Sequence, residues 1–209
     1  MNPMYMTQKE PRSAILIHGG TTYENRAQYL RALQEKNPKL EWFKLRKDWK
    51  YELQDRLGDQ FVVYAPQMPN KTNAQYDEWK LWFEKVVDLL GDEVTLIGHS
   101  LGALFLVKYL SENTLGRKAR KLCLLGTPYD NAGMGAEQLG SFIRIGDLSS
   151  VALQVSEIYF YHSEDDFAVP FEHLAKYEIG LPGAVFRKYK DYGHFLDAYV
   201  PNLIEDIRR

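Results

Sequence analysis

Six short apolar runs alternate with longer amphipathic segments along the chain, and this alternation constrains the fold more than any other feature. The runs are SAILIHG (13–19), FVVYAP (61–66), EVTLIGH (93–99), KLCLLGT (121–127), EIYFYHS (157–163) and AVFRKY (184–189). Their length and their Val, Ile, Phe and Tyr content read as strands. The first four are nearly continuous in apolar character, as strands buried on both faces are. Helices are expected between them, over 24–36, 76–90, 101–112, 171–178 and from Pro201 onward. In 76–90, Tyr76, Trp79, Phe83, Val86, Val87 and Leu90 form one stripe at helical spacing, and Gly91 closes it. LGALFLVKYLSE (101–112) is apolar on nearly all sides, which fits a helix packed against the sheet. Pro201 suits a first helical position. Over 209 residues, this pattern predicts one α/β domain, a mostly parallel sheet of about six strands with helices on both faces. Ligands bind such sheets at the carboxyl ends of the strands. Two stretches fit less well. Residues 37–58, with Trp42, Phe43, Trp49 and Tyr51 among many charges, allow another helix or an edge strand. Residues 128–153, with Gly133, Gly135, Gly140 and Gly146 and a helical fragment near 136–144, suit a short lid or an exposed loop.

Several function classes are disfavoured before any site is sought. Lys and Arg number 26 and Asp and Glu 28, so no global basic field collects nucleic acid or an anionic membrane. KLRKDWK (44–50) is a local basic patch whose simplest role is a solvated face. A single cysteine, Cys123, forms no internal disulfide, and its apolar neighbours make it an inert core residue. The N-terminal residues hold no apolar signal-peptide core, and no run approaches the length of a membrane span. A cytoplasmic protein with no membrane and no nucleic-acid partner, a monomer or small homo-oligomer, is the expectation. The histidines are dispersed and no His-Glu-x-x-His occurs, so no metal is expected.

The stretch LIGHSLGAL (96–104) carries the chemistry. It puts Ser100 between Gly98 and Gly102, after a strand and before a buried helix, which is the strand–turn–helix of a nucleophile elbow. The glycines let the backbone turn sharply and lift the serine at the strand's carboxyl end. The competing role for such a serine is to cap the helix. A serine needs a base to take its proton, and the base needs an acid to orient it. Of His18, His99, His162, His173 and His194, only His194 follows the last strand, with Gly193 to relieve the turn. The loop SEDDFAVP (163–170) offers Glu164, Asp165 and Asp166 as the acid. An oxyanion hole needs two backbone N–H donors. Leu101, after the nucleophile, supplies one; the HGG turn (18–20) supplies the other, with Gly20 preferred and Thr21 second. That turn is not a phosphate loop, because no Gly-Lys-Ser/Thr follows it.

Together HGG, GHSLG, DDFAVP and GHF, in this order, resemble the α/β-hydrolase superfamily. Within it the chain looks like the small serine hydrolases grouped with the retinoblastoma-binding-protein hydrolase and similar bacterial predicted esterases. YAPQMPN (64–70), followed by the helix with Trp79 and Trp82, is similar to the segment before the elbow in that group. The resemblance covers residues 60–209 well, the first strand less specifically and 37–58 poorly. It implies a single α/β-hydrolase domain over 1–209, without a large cap domain and without a metal or organic cofactor. Its acid loop uses the second aspartate, which here is Asp166; Asp165 is the rival.

The expected activity is that of a serine hydrolase, a carboxylesterase on small to medium acyl esters, with a small-molecule ester as its partner. Ser100, Asp166 and His194 form the triad, with Leu101 and Gly20 as oxyanion donors. Thr21, Met68, Tyr129, Phe167 and Phe195 are candidate pocket walls, each near a strand end or site loop. Two alternatives use the same residues: thioester, amide or acyl-transfer chemistry, and a binding protein with an idle triad.

Overall fold

The computed structural model describes residues 10–45, 47–91, 93–135, 138–143, 147–196 and 199–209. All six apolar runs are strands: β1 (Arg12–Ile17), β2 (Phe61–Tyr64), β3 (Val94–His99), β4 (Ala119–Leu125), β5 (Val155–Ser163) and β6 (Val185–Tyr189). They form one sheet in the order β2-β1-β3-β4-β5-β6, and every neighbouring pair is parallel. The register pairs Ile17 with Gly98, His99 with Leu125, and Leu125 with Tyr161. The carboxyl ends of β1, β3, β4 and β5 therefore lie side by side.

Strand side chains alternate between two faces, so the sheet feeds two cores. On one face Ile15, Ile17, Leu96, Leu122, Leu124 and Phe160 join a single cluster. It is covered by α3 (Tyr76–Val87), α4 (Leu101–Glu112), α5 (Ser149–Gln154) and α6 (Glu172–Gly180). On the other face Leu16, Ile97, Cys123, Leu125, Tyr159 and Tyr161 meet α2 (Trp49–Leu57) and α7 (Pro201–Arg208). α4 is buried along almost its whole length, as its all-round apolar sequence requires. α7 is pinned by its one buried acid: Asp206 accepts hydrogen bonds from Tyr161 Oη (3.0 Å) and Arg187 (2.8 Å). Cys123 is fully buried, and burial pushes its thiol up to about 12.

Among the described residues the ambiguous stretch 37–58 holds a helix, α2, and no edge strand. Asp48 caps it by accepting the Lys50 amide (3.0 Å), and Gly58, at φ 70°, ends it. A 3-10 turn, Leu40–Phe43, precedes it. α1 (Arg26–Glu35) buries none of its residues. In 128–153 the described residues form a 3-10 turn, Gly140–Phe142, and the unanticipated α5. Of the helical fragment expected near 136–144, residues 138, 139 and 143 are irregular, and 136, 137 and 144 lie outside the described residues. No helix among the described residues is long and apolar enough to cross a membrane.

Candidate active site

Ser100 alone makes the turn between β3 and α4. Its backbone sits at φ 56° and ψ −124°, where a residue with a Cβ is strained by about 1–3 kcal/mol. Neighbouring contacts hold it there. Its N–H donates to the Leu125 carbonyl (2.8 Å), and its carbonyl accepts from Ala103 and Leu104 (2.9 and 3.2 Å). A Cβ on Gly98 would stand 2.5 Å from Ala103 Cα, and one on Gly102 2.4 Å from the Ile17 carbonyl oxygen. Both positions of the motif are thus closed to any side chain. The Ser100 hydroxyl does not cap α4.

The loops after β5 and β6 bring Asp166 and His194 together. His194 Nδ1–H donates to the Asp166 carboxylate, 2.9 and 2.8 Å from its two oxygens. That bond fixes the ring proton on Nδ1 and leaves Nε2 as the basic nitrogen. Asp166 is held in turn by the amides of Ala168 and Val169, both at 2.9 Å. A Cβ on Gly126 would lie 3.0 Å from the His194 ring and 3.2 Å from Asp166 Oδ2. Gly126 directly follows Leu125, which holds the Ser100 amide, so the pair rests on the strand end beside the elbow. Asp165 does different work. Its Oδ1 accepts from Ser163 Oγ (2.5 Å) and from the Gly193 amide (2.8 Å). The Ser163 bond, followed by the Gly193 amide, lowers its carboxyl pKa below the ordinary range. Ser163 Oγ also accepts from the Tyr192 amide (2.9 Å). Asp165 and Ser163 therefore anchor the histidine loop, while Asp166 touches the histidine.

Two residues outside the sequence-derived set hold that loop from the other side. His99 Nε2–H donates to the His194 carbonyl (2.8 Å), with the two rings 4.9 Å apart. Trp49 Nε1–H donates to the Phe195 carbonyl (2.9 Å) and packs edge-on against His99. Phe195 is left-handed, at φ 52°. Burial, then the nearby Lys50 charge, drives the His99 pKa well below its ordinary value, so the ring is neutral. His18 ties down the turn after β1. Its Nδ1–H donates to the Gly19 carbonyl (2.7 Å) and its Nε2 accepts the Met68 amide (2.9 Å).

The cleft beside the elbow has a volume of about 140 Å³ and is lined by Thr21, Ser100, Leu101, Met134, Leu139 and Val169, among others. Gly20 also borders it, and a Cβ there would stand 2.5 Å from the Lys71 carbonyl oxygen. The Thr21 amide is given to that same carbonyl (2.9 Å). Among the described residues, no acceptor takes the amide of Gly20 or of Leu101. Of the other expected pocket walls, Phe167 is exposed with its ring 6.0 Å from that of His194. Met68 and Phe195 are buried in the two cores instead. Tyr129 packs edge-on against Tyr177 on the α6 side. Among the described residues no three His, Cys, Asp or Glu side chains are grouped to hold a metal ion.

The serine hydrolase family model matches residues 44–198. The chain belongs to the serine hydrolase family. The matched range contains Ser100, Asp166 and His194 and leaves the β1 turn outside it. No curated protein matches this serine hydrolase by sequence. Its fold is shared by solved structures. The ydeN gene product of B. subtilis superposes with a TM-score of 0.68 at 16% identity, covering 94% of this chain and 96% of that one. A putative YdeN-like hydrolase from Pectobacterium atrosepticum gives 0.62 at 13%, covering 94% and 89%. A structure from a study of carboxylesterases of Nitrososphaera gargenis gives 0.61 at 12%, covering 94% and 88%. At these identities the likeness is one of fold. What it shows is the α/β-hydrolase fold.

Proposed function

We propose that this serine hydrolase is a carboxylesterase acting on small to medium acyl esters. The observation that carries the reading is the His194–Asp166 hydrogen bond set beside a serine strained at φ 56°. Ser100 Oγ attacks the ester carbonyl carbon as His194 Nε2 takes its proton. The carbonyl π-electrons move onto oxygen, and the amides of Gly20 and Leu101 receive that oxyanion. Both amides lack an acceptor among the described residues, as such donors must before substrate arrives. The intermediate collapses, and His194 returns the proton to the departing alcohol. Water, deprotonated by His194, then attacks the acyl-enzyme and releases the acid and Ser100. Asp166 keeps the ring in the Nδ1–H tautomer and stabilises the imidazolium. A cleft of about 140 Å³ with apolar walls fits a short acyl chain.

The test is a fluorophosphonate probe on wild type and Ser100→Ala, with the adduct located by peptide mass spectrometry, alongside an ester and thioester panel. An adduct on Ser100 that the variant loses, together with ester turnover, is the expected result. A folded wild-type protein that takes no probe and turns over no ester overturns the reading.

A further inference from the structure

Four large apolar side chains stand exposed within six positions of the strap between α1 and α2. Leu40 is 83% exposed, Trp42 52%, Phe43 70% and Leu45 105%. The strap is extended at Lys39 and at Lys44, with only the 3-10 turn between, and no residue of that turn is buried. Soluble surfaces rarely leave so many large apolar groups together without a partner. Cations are interleaved with them. Lys36, Lys39, Lys44 and Lys47 are all exposed, and among the described residues none makes an ion pair. Glu35, Glu41 and Asp48 are the nearby acids, and Asp48 is paired with Lys50. A chain whose formal net charge is -2 thus carries one local surface that is both cationic and apolar.

We infer that this strap docks the enzyme on an anionic lipid bilayer surface. The chemistry matches at each level. Trp and Phe favour the boundary between headgroups and acyl chains, Leu reaches the acyl region, and lysines meet anionic headgroups. A second copy of the chain fits less well. A two-fold interface would set the same lysines against each other, and lysine is depleted from protein interfaces. Single-stranded nucleic acid would use the aromatic rings but gives Leu40 and Leu45 nothing to contact. The strap leads directly into α2, whose first turn, through Lys50 and Tyr51, lines the hollow beside His18. Docking there would bring the flank of the β1 turn close to the lipid. The absence of a global basic field, noted from the sequence, does not bear on a patch this local.

The experiment is co-sedimentation with phosphatidylcholine vesicles, with and without phosphatidylserine, read at low and raised salt. Wild type is compared with Trp42→Ser/Phe43→Ser and with Lys39→Gln/Lys44→Gln/Lys47→Gln. All five positions are exposed, so both variants should keep the wild-type circular dichroism and melting curve. Wild type should bind the phosphatidylserine vesicles more tightly than phosphatidylcholine alone, and salt should weaken it. The lysine variant should partition about a hundredfold more weakly, each cation near an anionic surface contributing roughly a fivefold factor. The aromatic variant should lose binding to both vesicle types. Wild type left in the supernatant with both vesicles overturns the inference, as does binding that neither variant changes. A dimer in sedimentation velocity that the aromatic variant dissociates, without vesicle binding, assigns the strap to a second copy instead. None of these outcomes depends on turnover.

Discussion

Asp165 and Asp166 are chain neighbours with separate jobs, and substitution should separate them. Asp166→Asn keeps the shape of the side chain but removes the charge that holds His194 in one tautomer. It should lower kcat by about ten-thousandfold, as loss of the acid does in comparable triads. Asp165→Asn keeps an oxygen that can accept the Gly193 amide, so its loss should be at least tenfold smaller by the ordinary strength of one hydrogen bond. The reverse ranking in steady-state kinetics would transfer the acid's role to Asp165. The glycines of the elbow give a second contrast. Gly102→Ala drives a methyl into two backbone carbonyls, those of Ile17 and His18, which belong to the sheet end and cannot yield. Gly183→Ala meets nothing within 4 Å. Thermal melting should show a large fall for the first, of the size overpacking brings (about 1–3 kcal/mol or more), and almost none for the second. A Gly102→Ala protein as stable as wild type would mean that the elbow relaxes in solution.

At the scale of elements, α2 serves the site from across the sheet. Trp49 lies 146 positions before Phe195, yet its indole holds that residue's carbonyl, and His99 holds the next one back. Trp49→Phe keeps the packing and deletes one donor; His99→Leu deletes the other, and His99→Gln restores a donor. We expect Trp49→Phe and His99→Leu to lower kcat about tenfold to a hundredfold with little change in KM, because displacing a catalytic base by about an ångström costs that much. His99→Gln should recover part of the loss. Equal changes in KM and kcat in all three would mean that α2 supports the fold alone. This coupling was not legible in the sequence, since no periodicity relates residues so far apart. What was legible were features with local causes. The six strands followed from short apolar runs. The strained turn at Ser100 and the buried α4 followed from two flanking glycines and an all-round apolar helix. The choice of Asp166 over Asp165 came from resemblance alone, and geometry now shows the two carboxylates on different partners. Met68 and Phe195, expected at pocket walls, are buried in the two cores for one reason. Proximity to a strand end does not say which way a side chain points, and a left-handed backbone at Phe195 turns its ring into the core.

For the molecule as a whole, the histidines set how stability responds to acid. His18, His99, His162 and His173 all have pKa values below the ordinary 6.5, in each case chiefly through burial. Geometry gives the same direction. His18 Nε2 accepts the Met68 amide and His173 Nδ1 accepts the Tyr129 amide, so a proton on either nitrogen would set two N–H groups face to face. Asp166 lies 3.7 Å from His162 and pulls its pKa upward, but burial wins. The unfolded chain therefore binds more protons than the folded one once the pH drops toward 6.5, and stability must rise with pH through that window. It is fully present above the unfolded value and is lost as the pH falls through the lowered folded values. Each histidine contributes at most about 1.4 kcal/mol per pH unit. The carboxylates with lowered pKa, Asp130 and Asp165, act in a separate window below the ordinary 3.8. Urea midpoints measured between about pH 7.5 and 5 isolate the histidines, since ordinary carboxylates titrate lower. The midpoint should fall steadily across that range. In His173→Gln the amide side chain keeps an acceptor without a proton to gain, so the fall should be shallower. A flat profile in wild type would mean that these rings are reached by water and accept protons while folded.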